Sequence, residues 1–328
     1  MHKESAVLAV DLGGTNLRAA LVTADGVVLA RSSLPTQAAR GPGRAMDRLA
    51  RALAALHRGT RMPEPMALGL ALASPLDPTT GTLHHPPNLP GWDGFSPQAY
   101  LAGRLGLPTW SHNDASLAAL GEQTQGVGRG TSSLVFVSWG TGVGGGLVLD
   151  GRLYGGRRGF AGEVGHMVLV PQGTPCRCGS RGCLEQYVSG PAMARTARER
   201  IQAGEPSIVR RLVRGNLERI RSETLAQAER QGDPMARSVL AQAGTAMGTA
   251  IATLRHILDP DLIVIGGGVA AMLHALYPAL VHSAKAHSMG SDVGFFPVVS
   301  TALGDDAGLL GAAVLAWQGL SGSWPTRS

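Results

Sequence analysis

The sequence predicts an α/β protein built from two related domains, and three observations lead to that prediction. Its 328 residues are too many for one compact core and about right for two domains of ordinary size. Hydrophobic residues make up 44% and charged residues 16%, a balance typical of folded globular chains. Apolar strands alternate with glycine turns and helical patterns, and one strand–turn–strand pattern occurs twice.

The first half of the chain opens with the first copy of that pattern. Two apolar strands surround a glycine turn at Gly13-Gly14-Thr15, here called the first turn. Asp25-Gly26 is a dipeptide typical of β-hairpins, so the second strand is expected to lead directly into a third. The predicted elements are strands at 7–10, 17–22, 27–30 and 66–73, a helix carrying Met46, Leu49, Leu53 and Leu56, a loop at 79–92 and a helix at 114–122.

The second copy begins at Leu134. A strand at 134–138 leads into a glycine run at 140–145, followed by a strand at 146–149 and a second Asp-Gly hairpin at Asp150-Gly151. The turn and the hairpin follow their counterparts in the first copy at nearly the same offset, which favours duplication over chance similarity.

The rest of the chain is mainly helical. Its predicted elements are a helical stretch from 191 to about 231, helices at 234–256 and 308–317, and a strand at 262–265 that ends in a third glycine turn, Gly266-Gly267-Gly268. We expect a smaller domain at 1–115, completed by residues 308–328, and a larger domain at 116–307.

The charge of the chain raises the question of nucleic acid as a partner. The formal net charge is +6 and the sequence pI is about 9.8. Only Lys3 and Lys285 are lysines, and the arginines between 195 and 230 are interleaved with glutamates, as on a solvated helix face. Aromatic residues are only 4%, so no stacking platform for single strands is evident. Nucleic acid is therefore the weaker alternative, and no nucleic-acid partner is expected.

Several other classes are excluded by missing patterns. Neither lysine lies in the Gly-Lys-Ser/Thr context of a Walker loop or in a protein-kinase strand. The run Gly140-x-Gly142-x-x-Gly145 matches a dinucleotide fingerprint, but a strand rather than a helix is predicted to follow it. No run approaches the ~18 apolar residues of a membrane span, and the first residues do not resemble a signal peptide. A cytoplasmic location without a membrane partner is expected.

The three glycine turns predict a polyphosphate site. Without a Cβ, glycine allows main-chain N–H groups to approach phosphate oxygens closely. Asp11 precedes the first turn and offers a carboxylate that could hold Mg²⁺ through water. Ordinary tight hairpin turns are the alternative for any one of the three.

The cysteines predict a metal centre. Cys176, Cys178 and Cys183 form a C-x-C-x₄-C pattern, and His166 lies ten residues before the first of them. Four nitrogen and sulfur ligands within 18 residues fit a tetrahedral structural zinc site, which is favoured over disulfides because the cysteine number is odd. With four protein ligands, such a zinc has no open position for catalysis.

A third group of polar residues surrounds this cluster. Glu163, His166 and Glu185 flank the cysteines, and Asn113-Asp114 lies far upstream. Carboxylates, imidazole and amides together are suited to binding the hydroxyl groups of a sugar. Taken singly, Asp114 could be a helix N-cap and the glutamates could be surface acids.

Six segments of the chain together resemble the ROK family (repressors, open reading frames and sugar kinases), specifically its bacterial glucokinase-like members. The resemblance extends from about residue 5 to about residue 315, and the cysteine segment is its most specific part. The segments are 10–18 (VDLGGTNLR), 112–115 (HNDA), 140–146 (GTGVGGG), 161–166 (AGEVGH), 176–185 (CRCGSRGCLE) and 265–268 (IGGG).

The resemblance implies an actin/hexokinase-like (ribonuclease H-like) fold with two α/β domains and a cleft between them. It implies a kinase that transfers phosphate from Mg²⁺-ATP to a hexose, most often at the 6-hydroxyl. Asp114 would accept the hydroxyl proton. Residues expected to bind the sugar are Asn88, Asn113, Asp114, Glu163, His166 and Glu185, with His166 also a zinc ligand. Residues expected at the nucleotide are Asp11, Gly13, Gly14, Thr15, Asn16, Gly140, Thr141, Gly142, Gly145, Gly266, Gly267 and Gly268.

Two segments bear on the state of the site and on the sugar that it takes. Residues 88–92 (NLPGW) match a loop of the family, which favours an intact site. Ala73 and Ser74, in a loop that the resemblance places near the sugar, stand where family members usually carry other residues, so they bear on the choice of sugar. We expect glucose as substrate, with an N-acetylglucosamine or N-acetylmannosamine kinase, or a non-catalytic sugar-binding protein, as alternatives. The few residues ahead of Asp11 leave no room for the DNA-binding segment of the repressors, which favours the enzyme. A homodimer or homotetramer is expected.

Overall fold

The computed structural model of the chain describes residues 5–56, 62–86, 88–290 and 297–323. Its strands are β1 Ala6–Leu12, β2 Asn16–Thr23, β3 Val28–Pro35, β4 Pro65–Leu72, β5 Thr109–Asn113, β6 Leu134–Trp139, β7 Val143–Leu149, β8 Arg152–Leu153, β9 Leu262–Gly266 and β10 Val298–Ser300. Its α-helices are α1 Pro42–Ala55, α2 Pro97–Leu105, α3 Asp114–Gln125, α4 Glu185–Val188, α5 Gly190–Gln202, α6 Val209–Leu212, α7 Ser222–Arg230, α8 Pro234–Leu258, α9 Leu273–Ala286 and α10 Ala307–Leu320.

The chain forms two compact units. Among the described residues, unit 1 contains those within Met1–Phe136, Gly146–Gly162 and Thr301–Ser328, and unit 2 contains those within Val137–Gly145 and Glu163–Ser300. Unit 1 thus includes helices α3 and α10 as well as the first three strands. The domain ranges 1–115 and 116–307 stay a prediction. Residue 87 of the predicted loop and residues 324–328 lie outside the described residues.

The core of unit 1 covers both faces of a five-stranded sheet. The strand order is β3-β2-β1-β4-β5, with β1 antiparallel to β2 and parallel to β4. Successive side chains of a strand point to opposite faces. Leu8 and Val10 accordingly pack in one cluster with Leu49 of α1, and Val7 and Ala9 pack in the other cluster with residues of α3 and α10.

A second sheet repeats the arrangement of the first. Its order is β10-β9-β6-β7-β8. Read from the other edge, the order β8-β7-β6-β9-β10 corresponds strand by strand to β3-β2-β1-β4-β5 of the first sheet. The chain passes from one unit to the other within β6 and within β7. Two sheets of the same strand order are what the repeated sequence pattern predicts. The α/β fold class is confirmed.

The stretch 191–231, which the sequence predicts to be helical, contains more than one helix. The structure divides this stretch into α5, α6 and α7. Gly204 and Gly215 between them have φ values of 94° and 78°, in the left-handed region that favours glycine and cannot continue a helix. By contrast, α8 is one long helix, which begins where the Asp233 carboxylate accepts a hydrogen bond of 2.7 Å from the Ala236 N–H.

No helix among the described residues combines enough length with enough apolar character to cross a membrane.

Candidate functional site

The first turn joins β1 to β2 and is held by its own backbone and by Thr36. The Gly13 N–H donates to the Asn16 carbonyl at 3.0 Å and the Thr36 N–H donates to the Thr15 carbonyl at 2.7 Å, while the Thr36 hydroxyl donates to the Gly13 carbonyl at 2.6 Å. Thr15 and Asn16 are exposed. The turn is therefore fixed in shape and open on its outer side, as a phosphate-binding turn must be.

The structure places Asn88 directly against the first turn. A Cβ added to Gly14 would lie 2.8 Å from the Asn88 Cβ and 2.9 Å from its carbonyl oxygen. Glycine is thus required here for close packing as well as for any approach of a phosphate. Two residues predicted for different ligands, Gly14 for the nucleotide and Asn88 for the sugar, are neighbours within unit 1.

Asp11 forms an ion pair with Arg18, a residue that the sequence did not predict for the site. The Arg18 Nη2 lies 2.9 Å from the Asp11 carboxylate, and its Nη1 lies 3.8 Å from Asp305. Burial raises the pKa of Asp11 above its ordinary value, although the positive charge and hydrogen bond of Arg18 oppose that rise. The hairpin register could have predicted this ion pair, because Asp11 and Arg18 lie directly opposite each other on the two strands that the first turn joins.

Asn113 and Asp114 lie where β5 passes into α3. The Asn113 side chain is the N-cap and accepts a hydrogen bond of 3.1 Å from the Ser116 N–H. Asp114 is the first helical residue, half-buried, and its Oδ1 accepts from the Ala115 N–H at 2.8 Å. The alternative that Asp114 is only the N-cap is therefore wrong, since Asn113 fills that position.

The second turn is shorter than predicted. The Gly140 N–H donates to the Gly142 carbonyl at 2.9 Å, which closes the turn over 140–142. Strand β7 begins at Val143, so Gly145 is a buried strand residue and not part of the turn. Glu185 is fixed beneath this turn, because its Oε2 accepts from the Val143 N–H at 2.9 Å. A Cβ on Gly142 would lie 2.7 Å from the same oxygen.

The third turn lies beside the second within unit 2. Gly267 has a φ of 81°, and a Cβ on it would lie 2.5 Å from the Trp139 carbonyl oxygen. The two turns share a cavity of about 590 Å³. Most of its wall comes from α5, α7 and the residues beside them, none of which was predicted for the site from the sequence. The lining residues are Gly140, Thr141, Gly190, Pro191, Ala194, Arg195, Arg198, Ile220, Arg221, Ser222, Glu223, Gly268 and Val269.

Glu163, His166 and Glu185 interact electrostatically in unit 2. Burial raises the pKa of the Glu163 carboxyl, His166 opposes the rise, and the nearby Glu185 carboxylate adds to it. Glu163 is half-buried, as is Glu185. Neither residue is an ordinary surface acid, which was the alternative for each of them.

The four predicted metal ligands are brought together in the same unit. One ring nitrogen of His166 and the Sγ atoms of Cys176, Cys178 and Cys183 all lie within 4.8 Å of one another. The His166 Nδ1 to Cys176 Sγ distance is 3.7 Å, as is the distance between the Cys178 and Cys183 Sγ atoms. All three cysteines are free thiols. Tetrahedral zinc with Zn–S bonds of ~2.3 Å separates its sulfur ligands by ~3.8 Å, so the donor set and its spacing fit such a centre.

Comparisons with known proteins extend over nearly the whole chain. The ROK family profile matches residues 7–319. Glucokinase of Thermotoga maritima is 34% identical over 316 residues, which cover 96% of this chain and 98% of that protein. N-acetylmannosamine kinase of Escherichia coli O1:K1 is 33% identical over 311 residues, which cover 94% and 97%. The crystal structure of a ROK family glucokinase from Streptomyces griseus in complex with glucose and AMPPNP superposes with a TM-score of 0.81 at 32% identity, covering 95% of this chain and 99% of that one. On this similarity of sequence and structure, the chain belongs to the ROK family.

Proposed function

We propose that the protein is an ATP-dependent glucokinase that converts glucose to glucose 6-phosphate. The observation that carries this proposal is the likeness to glucokinases over nearly the full length of both chains, in sequence and in structure. Asn113 and Asp114 are both present at the start of α3, which supports an active enzyme rather than a non-catalytic sugar-binding protein.

In this proposal Asp114 accepts the proton of the attacking hydroxyl while the sugar oxygen bonds to the γ-phosphorus. The bond between the γ-phosphorus and the oxygen that joins it to the β-phosphate breaks at the same time, and ADP leaves with that oxygen. Phosphoryl transfer relies mainly on positioning and on stabilising the charge of the transferred group. Main-chain N–H groups of the first and second turns supply that stabilisation. Mg²⁺ bound with ATP would neutralise phosphate charge, and Asp11 is the carboxylate that would hold it through water. We assign the cavity beside the third turn to the nucleoside.

The proposed hexose contacts come from five further residues. They are Asn88, Asn113, Glu163, His166 and Glu185. The His166 Nδ1 faces Cys176, so a sugar hydroxyl would be left to the other ring nitrogen, Nε2. Because Glu185 already binds the Val143 N–H through one oxygen, its carboxylate is held in place before a sugar arrives.

We propose zinc as the resident metal of His166, Cys176, Cys178 and Cys183. The ligand types and the 3.7 Å spacings support it. When bound, the metal would cross-link the segment that carries Glu163, His166 and Glu185, and would take no part in the chemistry. Metal analysis of the purified protein should give about one zinc per chain, and a chain free of zinc after purification without chelators would contradict the assignment.

A second candidate is an N-acetylhexosamine kinase, favoured by the likeness to N-acetylmannosamine kinase. One substrate panel separates the two. Glucose, mannose, N-acetylglucosamine and N-acetylmannosamine are each offered with Mg²⁺-ATP, and ADP release is followed. We expect the highest kcat/KM with glucose. A higher value with either N-acetylhexosamine would reject glucokinase but keep the family. 6-Deoxyglucose serves as the control, because it lacks the acceptor hydroxyl and should inhibit without being turned over.

The expected homodimer or homotetramer and the expected cytoplasmic location stay predictions.

A further inference from the structure

His112 lies at the end of β5, two residues before Asp114, and is almost completely buried, with 3% of its surface exposed. Its Nδ1 accepts a hydrogen bond of 2.9 Å from the backbone N–H of Asn113. On the opposite edge the ring packs against Gly155, where an added Cβ would lie 2.5 Å from Nε2 and 3.0 Å from Cε1. The imidazole is therefore confined between the β5–α3 junction and the segment that follows β8.

This hydrogen bond defines the protonation state of the ring. Because the Asn113 N–H donates, Nδ1 must carry a lone pair, and the proton of the neutral ring is on Nε2. Burial lowers the pKa of His112 to about 4, so the ring is neutral in the pH range of ordinary enzyme assays. A charged ring could not accept this bond.

Three successive side chains hold the junction that presents Asp114. His112 accepts from the Asn113 N–H, Asn113 accepts from the Ser116 N–H, and Asp114 accepts from the Ala115 N–H. The backbone at Asn113 has φ −58° and ψ 143°, and the helix begins at the next residue. The direction of the Asp114 side chain thus depends on the backbone of Asn113, which the His112 ring restrains.

We propose that His112 is a positioning residue for phosphoryl transfer: its imidazole fixes the Asn113 backbone and thereby aims the Asp114 carboxylate at the acceptor hydroxyl. The inference rests on the proposed role of Asp114 as proton acceptor. A residue that merely fills the core would need only the volume of the ring. The proposed role also requires an acceptor atom at the Nδ1 position, which restrains the Asn113 backbone.

Two substitutions distinguish these roles. His112→Asn places an amide oxygen at the position of Nδ1, so the bond to the Asn113 N–H can be kept. His112→Leu fills a similar volume without any acceptor. Misplacement of a reacting group by about 1 Å can cost roughly 10²-fold in rate, so we expect kcat of His112→Leu to fall by about 10-fold or more. His112→Asn should restore kcat to within about 3-fold of the wild type.

Gly155 offers an independent test of the same contact. Gly155→Ala pushes a methyl group into the ring edge and should lower kcat of the wild type. In the His112→Asn background the shorter side chain leaves room for that methyl group, so the same substitution should have a much smaller effect. This comparison remains informative if His112→Leu does not fold.

The experiment measures kcat at saturating glucose and Mg²⁺-ATP, together with the melting temperature of each variant. Ser111→Ala is the control, because Ser111 lies on the same strand as His112 and the substitution removes its 2.7 Å hydrogen bond to Gln98 without touching the junction. The melting temperature of this variant should fall while its kcat is kept. Equal kcat for His112→Leu and His112→Asn, or an equal Gly155→Ala effect in both backgrounds, would overturn the inference. A wild-type protein that phosphorylates no hexose would instead reject the proposed function.

Discussion

The burial of His112 predicts by how much the free energy of unfolding falls at low pH. Its folded-state pKa of about 4 lies below the ordinary value of 6.5 because burial disfavours the charged ring. The unfolded chain takes up a proton below pH 6.5 and the native chain does not, so this residue lowers stability as pH falls from about 6.5 to about 4. The full effect is about 3 kcal/mol, and about 2 kcal/mol of it should be lost between pH 7 and pH 5.

His112→Asn removes this titration and leaves the other groups unchanged. Asp11 and Glu163, whose pKa values are raised in the native state, change stability in the opposite sense, but they do so equally in both proteins. Urea unfolding followed by tryptophan fluorescence at pH 7, 6 and 5 gives the comparison. The wild type should lose about 2 kcal/mol more than the variant from pH 7 to pH 5. Parallel losses in the two proteins would refute the reasoning, since His112 would then be charged in the native state at pH 5.

Three further predictions concern the proposed site. Asp114→Asn keeps the shape of the side chain but not the proton acceptor, so kcat should fall by roughly 10²-fold or more while calorimetry still detects glucose binding; near-native kcat would contradict the assignment. Cys178→Ser should lose zinc and most of the affinity for glucose but still bind ATP. The control is Arg177→Ser, a substitution of the exposed neighbouring residue, which should keep the metal. Zinc-free protein with native glucose affinity would show that the metal does not organise the sugar-binding residues. Gly267→Ala places a methyl group against the Trp139 carbonyl at a φ of 81°, so the free energy of unfolding should fall by about 2 kcal/mol or more. The control is Gly268→Ala, which should be close to the wild type in stability because the added Cβ meets open space.

The parts of the fold that were predictable from sequence are those with a local signal. Strands β1, β6 and β9 are apolar runs that end in glycine turns, and both Asp-Gly hairpins occur as expected. Strand β5 was missed because its sequence, TWSHN, has neither an apolar run nor regular alternation. Helix α9 was missed because it contains Pro278, which normally indicates a helix end. Helix α2 carried a usable signal, a Ser96 N-cap followed by Pro97.

The candidate site shows the same division between local and distant signals. The four metal ligands are close in sequence, and their pattern alone predicted that they meet. Arg18 and His112 belong to the family segments, but the sequence predicts no role for either, because their partners depend on the hairpin register and on burial. The walls contributed by α5 and α7 to the cavity beside the third turn could not be predicted, since the sequence places them more than 40 residues from the glycines they accompany.

Helix α10 has a consequence for how the chain folds during its synthesis. Its buried face, including Leu309 and Leu315, packs in the core cluster that contains Val7 and Ala9 of β1. Strand β1 therefore leaves the ribosome long before the helix that covers it, while all of unit 2 is still to be translated. Until then that sheet face has only the cover that α3 supplies, and the apolar surface left for α10 is exposed, which is the kind of surface that molecular chaperones bind. Unit 1 is the first unit to be started and the last to be finished.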